Sequence, residues 1–263
     1  MSYRGDGMIG LGTKAFLDIL RKASISKTPS KAMIENVGFK LEEDGLKACI
    51  MPDSETLIEY YFIPKKRFDL YKPDVDFIAF NVPNIYGLVK ELFKGRINIK
   101  VDKDQNRLII EDAKKEKRID TQLLDISAVK QADESSLEVT DKYVVPKNDN
   151  VVFHGRVPRD KFKSFLKLTT KNVEAVKFTF KGNEIFLDYK RGLVNVHDRI
   201  SADVEISSMN VSGMYPAYLV IKPILSVLSG DITFTVTESG VMSIGKVTDV
   251  ERIHYMFAPV EEE

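Results

Sequence analysis

The segment Ile78–Leu92, IAFNVPNIYGLVKEL, passes directly from a strand pattern into a helical pattern. The same change recurs later in Val204–Leu225, VEISSMNVSGMYPAYLVIKPIL. Two further pairs match in layout: MIGLGTKAFLDIL (8–20) with VVFHGRVPRDKFKSFL (151–166), and NRLIIEDAKKEKRIDTQLLDI (106–126) with GVMSIGKVTDVERIHYMFAPV (240–260). The same elements in the same order indicate an internal repeat, so the sequence predicts two similar domains.

Helical periodicity is confined to four segments, and the remainder consists of short strands rich in Val, Ile, Phe and Tyr separated by turns. This predicts an α+β protein in which two helices per domain pack on antiparallel sheets. The predicted helices are Thr13–Ser26, Val82–Lys94, Pro158–Lys171 and Pro216–Ser229. We expect these apolar stripes to be buried: Phe16, Ile19, Leu20 and Ala23; Ile85, Leu88, Val89 and Leu92; Phe162, Phe165 and Leu166.

Three residues are expected to shape the helix ends and interiors. Thr13 is of the residue type that caps a helix N-terminus, and Pro83 suits a first turn. Pro223 lies inside the fourth helical segment, where a missing N–H should kink the helix or make it irregular.

The chain has 263 residues, which is enough for two domains that each bury a core. We predict domains at 1–127 and 151–263, joined by a polar connector at 128–150 with a short strand near Lys142 to Val145. The single Cys49 excludes an internal disulfide. No apolar stretch is long enough to cross a bilayer, and residues 1–7 contain no secretion signal, so an intracellular protein without membrane contact is expected.

Formal charge is sorted between the elements although the whole chain is neutral, with 39 basic and 39 acidic residues. The four predicted helices carry net charges of +2, +1, +4 and +1, which leaves −8 on the strands and loops. Exposed lysines on any single helix can serve solubility alone. Four helices with the same sign, if they share one face, instead predict non-specific contact with a phosphate backbone.

Catalytic and ligand-binding motifs are weak. GMIGLGTK (7–14) departs from a phosphate-binding loop because Thr13 separates the last glycine from lysine. DKDQN (102–106) lacks the later glycine and glutamate of a calcium loop and is typical of a hairpin turn. His154, His197 and His254 stand far apart without further metal ligands, so we predict no metal, no cofactor and no enzymatic activity.

Three stretches resemble the proliferating cell nuclear antigen (PCNA) family of DNA sliding clamps. These are FDLYKPDVDFIAFNVPNIYGLVKEL (68–92), TQLLDIS (121–127) and HYMFAPVEEE (254–263), and their order and spacing extend the resemblance over about Met8 to Glu263. The resemblance implies a clamp fold in which three subunits form a ring around duplex DNA, with helices lining the pore. It also implies a cytoplasmic protein for an archaeal or viral source and a nuclear one for a eukaryotic source.

By position, the resemblance assigns DNA contact to basic residues of the four helices. These are Lys14, Arg21, Lys22, Lys90, Lys94, Lys161, Lys163, Lys167, Lys171 and Lys222. The match is poorest at Lys222, which lies two residues before the family's lysine position, here Ile224. Subunits would join through two edge strands, Arg118 to Thr121 with Ile119, and Glu184 to Tyr189 with Phe186 and Leu187.

The resemblance also implies a hydrophobic pocket for partner proteins: DNA polymerase, flap nuclease, ligase and an ATP-driven clamp loader. The matching residues are Met51, Thr56, Ile58, Ile126, Val129, Val241, Met256, Phe257, Ala258 and Pro259. Ordinary core or tail packing is the alternative interpretation of these residues. The connector departs from the family because KQADES (130–135) replaces an apolar patch and about a dozen residues are added.

Two other classes of protein stay open at the sequence level. A two-domain DNA-processing enzyme would need clustered acidic residues for magnesium, whereas those here are dispersed. A monomeric or heterotrimeric clamp relative of viral or checkpoint type would differ from a homotrimer in its mass in solution.

Overall fold

The computed structural model describes residues 7–26, 32–52 and 57–260. The chain divides into two compact units. Unit 1 comprises Met1–Ile50 and Tyr61–Gln131, and unit 2 comprises Met51–Tyr60 and Ala132–Glu263. Within the described ranges, no helix has both the length and the apolar character needed to span a membrane.

Unit 1 is built from strands with two α-helices inserted between them. The elements are β1 (Met8–Gly12), α1 (Thr13–Ala23), β2 (Asn36–Glu42), β3 (Gly45–Ile50), β4 (Ile58–Pro64, whose first three residues group with unit 2), β5 (Leu70–Lys72), β6 (Phe77–Asn81), α2 (Val82–Leu92), β7 (Arg96–Asp102), β8 (Arg107–Asp112) and β9 (Arg118–Gln122). Single 3-10 turns at Lys65–Arg67 and Ile126–Ala128 complete the unit.

Unit 2 repeats this plan after a short hairpin. Its elements are β10 (Leu137–Val139), β11 (Val144–Pro146), β12 (Val151–Pro158), α3 (Lys163–Leu168), β13 (Ala175–Lys181), β14 (Glu184–Arg191), β15 (Val194–Ser201), β16 (Asp203–Ser207), β17 (Val211–Pro216), α4 (Lys222–Val227), β18 (Asp231–Thr237), β19 (Met242–Val247) and β20 (Arg252–Phe257). Irregular turns at Glu134–Ser136 (3-10), Arg159–Phe162 (3-10) and Ala217–Ile221 (π) complete it.

The strand orders confirm the internal repeat and the predicted α+β architecture with antiparallel sheets. Unit 1 contains β5-β1-β7-β8-β9, and unit 2 contains β16-β12-β18-β19-β20. The remaining strands of each unit likewise follow the orders β4-β3-β2-β6 and β15-β14-β13-β17. Each strand of unit 1 therefore has a counterpart at the same place in the order of unit 2.

Aromatic side chains dominate the core of unit 2. The ring of Phe178 lies 5.9–6.5 Å from those of Phe165, Phe180, Tyr215 and Phe234. All five side chains are essentially inaccessible to solvent. Because Phe165 comes from α3 and the other four come from β13, β17 and β18, this cluster fixes the helix on the sheets.

Helix α1 begins at the predicted residue but is not capped by it. Gly12 is the extended N-cap residue, while the Thr13 hydroxyl donates to the Gly95 carbonyl at 2.6 Å. The Thr13 backbone N–H donates to the same oxygen at 2.8 Å. The prediction that Thr13 caps the helix is therefore wrong, because this side chain instead ties α1 to the residue before β7. The predicted apolar stripe of α1 is buried.

Helix α2 follows the predicted design at its start. Asn81 caps it by accepting from the Asn84 N–H at 3.2 Å, and Pro83 lies in the first turn. Ile85 and Val89 are buried as expected, but Leu88 is 47% exposed. The prediction of a buried Leu88 is wrong, because the helix buries a narrower stripe than the apolar pattern indicates.

The helical segments of unit 2 are shorter than predicted. Pro158 still belongs to β12, where it pairs with Asp231, and a 3-10 turn precedes the six residues of α3. The irregularity predicted at Pro223 is a π turn, closed by a bond from the Lys222 N–H to the Ala217 carbonyl. Pro223 then occupies the first turn of α4, where its missing N–H does no harm.

Candidate nucleic-acid interface

The helices of unit 1 present several basic side chains to solvent. Lys14 and Lys90 are exposed, and Arg21 is half-buried with its guanidinium 3.3 Å from the Asp18 carboxylate. Lys94 is also exposed but follows the end of α2, so the positive charge predicted for that helix lies at its C-terminal end. A cation at the C-terminal end of a helix interacts favourably with the negative end of the helix dipole. Because the side chain is exposed, it remains available to an anion.

Lys22 does not belong to this exposed set. Its residue is 3% exposed, and its ammonium lies 2.6 Å from the Asp18 carboxylate one turn earlier. The prediction that Lys22 faces outward is wrong, because α1 turns this side chain inward beside the buried Ile19 and Ala23. An ion pair at this depth is part of the packing and is not available to phosphate.

Among the helical segments, the larger set of exposed lysines lies around α3 in unit 2. Lys161, Lys163, Lys167 and Lys171 are all exposed and fall within eleven residues that include α3. Lys163 lies 3.1 Å from Asp160, but both side chains are about two-thirds exposed, so this ion pair is weak and exchangeable. The segment therefore presents a dense positive surface without any side chain arranged to read bases.

Lys222 is engaged within unit 2. Its ammonium donates to the Thr169 carbonyl at the end of α3 and lies 5.3 Å from the centre of the Tyr218 ring. The residue is half-buried. Lys222 thus joins the two helical segments of the unit, and its charge is less available to an external anion than that of the α3 lysines.

Strand β9, with Arg118, Ile119 and Thr121, is the last strand of its sheet and bonds to β8 on one side only. The prediction that the segment Glu184 to Tyr189 forms an edge strand is wrong. Strand β14, with Phe186, Leu187 and Tyr189, lies between β13 and β15 and bonds to both. Its backbone is therefore already paired, and β15 is the outermost strand.

The two faces of the edge strand β15 differ in exposure and charge. Val194 is 62% exposed at its start, although its neighbours at the same face, Val196 and Ile200, are increasingly buried. On the other face His197 lies 2.6 Å from Asp188, and Arg199 lies 3.5 Å from Glu184. Only the Val194 end of this face is therefore exposed, and His197 and Arg199 on the other face have carboxylate partners within the sheet.

The predicted pocket residues fall into both units, and they differ in exposure. In unit 1, Ile126 is 52% exposed on its 3-10 turn, whereas Val129 is buried. In unit 2, Ala258 is exposed, Met51, Ile58, Val241 and Pro259 are half-buried, and Met256 and Phe257 are buried. Thr56 lies outside the described residues.

Phe257 packs as core, which corrects its assignment to an accessible pocket. Its ring meets that of Tyr215 edge-on at 5.9 Å. The Tyr215 hydroxyl in turn donates to the Gly240 carbonyl at 2.7 Å, and the Val260 N–H donates to the Met214 carbonyl at 2.8 Å. The tail is thereby fixed to unit 2, and Ala258 and Val260 are left at the surface.

The part of the connector that belongs to unit 2 is an ordered hairpin. Strands β10 and β11 pair from Leu137 to Pro146, and Leu137, Val144 and Val145 are buried. The Tyr143 ring lies 5.4 Å from the His154 imidazole. At the hairpin's turn, Lys142 forms an ion pair with Glu205 at 2.6 Å. The short strand predicted near Lys142 to Val145 corresponds to β11, but the polarity of the connector did not indicate its partner β10 or the packing of this hairpin on unit 2.

Burial shifts the pKa values of several titratable groups in unit 2. Among the described residues, no group of three or more His, Cys, Asp or Glu side chains could hold a metal ion. Burial lowers the pKa of His254 to about 3, and burial raises the pKa of Glu59 well above its ordinary value. His154 bonds to the Thr235 hydroxyl at 2.9 Å. Burial therefore disfavours the charged form of each of these groups, and they pack as parts of the core.

Comparison with known proteins identifies the fold. No protein-family model and no curated sequence matches the chain. Solved structures do match along almost its entire length. PCNA from Entamoeba histolytica superposes with a TM-score of 0.77 at 13% identity, covering 97% of this chain and 99% of that one. A. fulgidus PCNA, solved with the C-terminal region of FEN-1 bound, gives 0.78 at 14% identity over 98% and 99%.

A third PCNA, from Thermococcus kodakaraensis, gives a TM-score of 0.73 at 13% identity, covering 96% of this chain and 99% of that one. The chain therefore has the PCNA-type clamp fold, and the resemblance found in the sequence is confirmed at that level.

Proposed function

We propose that this chain is a subunit of a DNA sliding clamp, which encircles duplex DNA as a trimeric ring and tethers replication and repair enzymes to it. The observation that carries the proposal is the concentration of exposed lysines on the helical segments of a duplicated clamp fold, above all the four around α3. Lysine is a point charge that satisfies phosphate at any position along the backbone.

The mechanism follows from the weakness of these contacts. Each exposed lysine interacts with phosphate without reading a base, so the protein can exchange one phosphate for the next as it moves. A closed ring supplies the retention that such contacts lack. No chemical step is assigned to the chain, which acts as a mobile tether.

Ring closure is proposed through β9 of one subunit and β15 of the next. Each is the last strand of its sheet and carries unpaired backbone groups that a further antiparallel strand can satisfy. Because the two edges differ, the contact is heterologous, and repeated contacts of this type form a ring when the rotation between neighbouring subunits closes the circle. Burial of Val194 would add an apolar contribution at the seam.

Partner enzymes are proposed to bind through short apolar segments, and each unit offers residues for such contacts: Ile126 in unit 1, and Ala258 and Pro259 in the tail of unit 2. The A. fulgidus PCNA structure contains the C-terminal region of FEN-1, which favours a flap nuclease as one such partner here. DNA polymerase, ligase and a clamp loader complete the proposed set. Contacts of this kind depend on a few apolar anchors.

Topological retention on DNA tests the proposal directly. The protein is allowed to thread onto linear duplex DNA, both ends are blocked with a bulky protein, and salt is raised until phosphate contacts are screened. We expect the protein to remain bound until a restriction enzyme cuts the duplex, and then to leave. Loss at high salt before cutting would contradict encirclement.

Molar mass by light scattering, measured across a concentration series, determines the subunit number. A mass near three subunits supports the homotrimer. A monomer at every concentration would exclude a self-closing ring and leave the heterotrimeric or monomeric clamp relative.

A further inference from the structure

Two side chains of opposite charge stand at the edge strands β9 and β15 without an ion-pair partner. Lys117, immediately before β9, is exposed, and its ammonium donates to the Leu92 carbonyl at 3.0 Å. Asp198, on β15, is half-buried, and its carboxylate accepts from the Arg199 backbone N–H at 2.9 Å. Within the described ranges, neither side chain forms an ion pair. Opposite charges on two strand edges are a reason to ask whether one edge fits the other.

Backbone hydrogen bonds show which residues of β9 face its free edge. The Lys117 carbonyl accepts from the Asp112 N–H at 3.1 Å, and the Leu123 N–H donates to the Asn106 carbonyl at 3.0 Å. Because the backbone groups of an antiparallel strand point to alternate sides, every second residue from Lys117 to Leu123 bonds to β8. The residues that direct their backbone N–H and C=O groups to the free edge are therefore Arg118, Asp120 and Gln122.

The same reasoning identifies the outward groups of β15. Ala202, directly after the strand, donates its N–H to the Asn183 carbonyl at 2.9 Å, in the register that pairs Val194 with Arg191. Every second residue from Val194 to Ala202 therefore bonds to β14. The residues that direct their backbone groups to the free edge are Asn195, His197, Arg199 and Ser201.

The first half of the β15 edge is the open part. The Arg199 N–H is already bound by the Asp198 carboxylate, whereas the outward backbone groups of Asn195 and His197 have no such side-chain cap among the described residues. A further antiparallel strand must place outward groups opposite outward groups, so the registers available to β9 differ by steps of two residues.

We propose that β15 accepts β9 of a second copy of this chain in the register that places Arg118 opposite His197 and Asp120 opposite Asn195. The ladder then ends just before the capped Arg199 N–H. On the face that carries the buried Ile119, this register gives three pairs: Lys117 with Asp198, Ile119 with Val196, and Thr121 with Val194. The inference rests on the proposed ring, and it names the chain itself as the neighbouring subunit.

A shift of two residues in either direction is less favourable. Moving β9 toward the end of β15 places Asp198 opposite the apolar Ile119 and Arg199 opposite Arg118. A carboxylate facing an apolar residue and two facing cations both weaken a cross-strand contact. Moving β9 the other way places Lys117 opposite an apolar residue and leaves both unpaired charges without a partner.

A shift of four residues is favourable in one charge pair but not in the ladder. It places Asp120 opposite Arg199. Strand pairing there requires the Arg199 N–H, which the Asp198 carboxylate already occupies. It also leaves the exposed Val194 beyond the end of β9, so the apolar end of β15 stays uncovered.

The charges around the two unpaired side chains agree with the proposed register. Residues 114–118 comprise four basic residues and one glutamate, a net charge of +3, and they face residues 198–203. The latter comprise two aspartates and one arginine, a net charge of −1, and the arginine, Arg199, lies 3.5 Å from Glu184. Residues 91–94, which include the carbonyl that accepts from Lys117, hold one glutamate and one lysine and add no net charge.

On the other face of the seam, Arg118 stands opposite His197. Each of them already has a carboxylate neighbour in its own subunit, since Arg118 lies 2.8 Å from Asp120 and His197 lies 2.6 Å from Asp188. This face is therefore balanced in charge, and the selective contact lies on the face of Lys117 and Asp198.

Disulfide cross-linking tests the register directly. In a Cys49→Ala chain, Thr121→Cys with Val194→Cys places two thiols at a facing pair that shares no backbone bonds. Cα atoms of such pairs lie about 4.5 Å apart, which a disulfide can bridge. We expect oxidation to give covalent dimers and trimers that a reductant separates. Thr121→Cys with Val196→Cys is the matched control, because it corresponds to a shift of two residues and should link poorly.

Charge exchange tests the ion pair. Lys117→Glu and Asp198→Lys should each raise the dissociation constant between subunits by about three- to tenfold, and the double variant should recover most of the loss. Lys66→Glu and Asp249→Lys make the same changes at exposed residues outside β9 and β15 and should leave assembly unchanged. Light scattering over a dilution series measures assembly, and thermal melting establishes that each variant is folded.

Two results would overturn the inference. One is cross-linking of the control cysteine pair in place of the facing pair, and the other is a charge-exchanged double variant that assembles no better than either single variant. The proposed function is tested separately by the parent chain. If the parent chain forms three-subunit rings that are retained on DNA while these variants fail as described, the proposed function stands and the register does not. A parent chain that is monomeric at every concentration would overturn both.

Discussion

Lys22 and Asp18 form a largely enclosed ion pair on α1, with Nζ and Oδ2 separated by 2.6 Å and only 4% of the lysine side chain exposed. Lys14, two turns earlier, is exposed. On one helix, Lys22 therefore has a structural role, whereas Lys14 is free to make the proposed contact with DNA.

Replacing each of these lysines with methionine should change a different property, protein stability for Lys22 and the salt dependence of DNA binding for Lys14. Lys22→Met leaves Asp18 without its closest cation and should lower the free energy of unfolding by about 1–3 kcal/mol, with the slope of log K for DNA binding against log salt unchanged. Lys14→Met should change stability by less than about 0.5 kcal/mol and reduce the slope by about 0.9. Urea denaturation and DNA titration give the two quantities. A reduced slope in folded Lys22→Met would show that its charge reaches DNA.

Sequence periodicity predicted the elements better than their exposed faces. The apolar stripe of α1 was predicted in full, but Lys22 lies beside Ile19 and Ala23 on the helix surface, and period alone does not say how wide a stripe the protein covers. The reverse error occurred at Leu88, which belongs to the apolar pattern of α2 but lies outside the covered stripe.

The identity of the edge strand was missed although local turns indicate it. Strand β14 forms one tight hairpin with β13, closed by the pair Lys181 and Glu184, and a second with β15, closed by Arg191 and Val194. Two consecutive hairpins place β14 between its sequence neighbours and leave β15 at the edge, whereas the resemblance alone pointed to β14. The repeat could have decided it, because β15 occupies in unit 2 the place that β4 occupies in unit 1.

Glu59 gives stability a dependence on pH that is opposite to that of most carboxylates. It is completely buried on β4, and neither carboxylate oxygen has a hydrogen-bond partner among the described residues. Desolvation raises its pKa well above 4.5. The native state therefore holds this proton more tightly than the unfolded chain, and the contribution to stability present below pH 4.5 is lost as pH rises through the native pKa.

Two substitutions at Glu59 separate titration from packing. Glu59→Gln and Glu59→Met should both remove this pH dependence from the free energy of unfolding. Glu59→Met should also raise stability at pH 8 by about 1–3 kcal/mol, because it leaves no buried polar atom unpaired. Urea denaturation at pH 5 and pH 8 measures both effects. A loss of stability at pH 8 in both variants would indicate a native partner for the ionised carboxylate.

His254 has the opposite effect in acid. Its side chain is buried on β20, its Nε2 atom has no partner among the described residues, and burial lowers its pKa to about 3 from 6.5. The unfolded chain takes up this proton first as pH falls, so stability is lost between about pH 6.5 and pH 3. The limiting slope for one such group is about 1.4 kcal/mol per pH unit.

His254→Gln should flatten the fall in stability between pH 6 and pH 4, as measured by urea denaturation at closely spaced pH values. The glutamine amide keeps a polar group near Ser243. In the parent chain, the Ser243 Oγ atom lies within hydrogen-bond distance, 3.4 Å, of the His254 Nδ1 atom. An acid limb that is as steep in the variant as in the parent chain would assign the acid lability to other groups.

The exposed end of β15 lies at the proposed contact between subunits of the ring. Val194 is 62% exposed at the edge of its sheet and should be covered when β9 of a second copy pairs with this strand. Val194→Lys places a charge in that apolar seam while leaving the isolated subunit intact, and it should raise the dissociation constant between subunits by about tenfold or more, equivalent to about 1.4 kcal/mol. Met209→Lys adds the same charge on the turn between β16 and β17 and should leave assembly unchanged. Light scattering over a dilution series compares the two variants. If both dissociate at the same concentration as the parent chain, β15 does not form the subunit contact, and the ring, if present, must close through another strand.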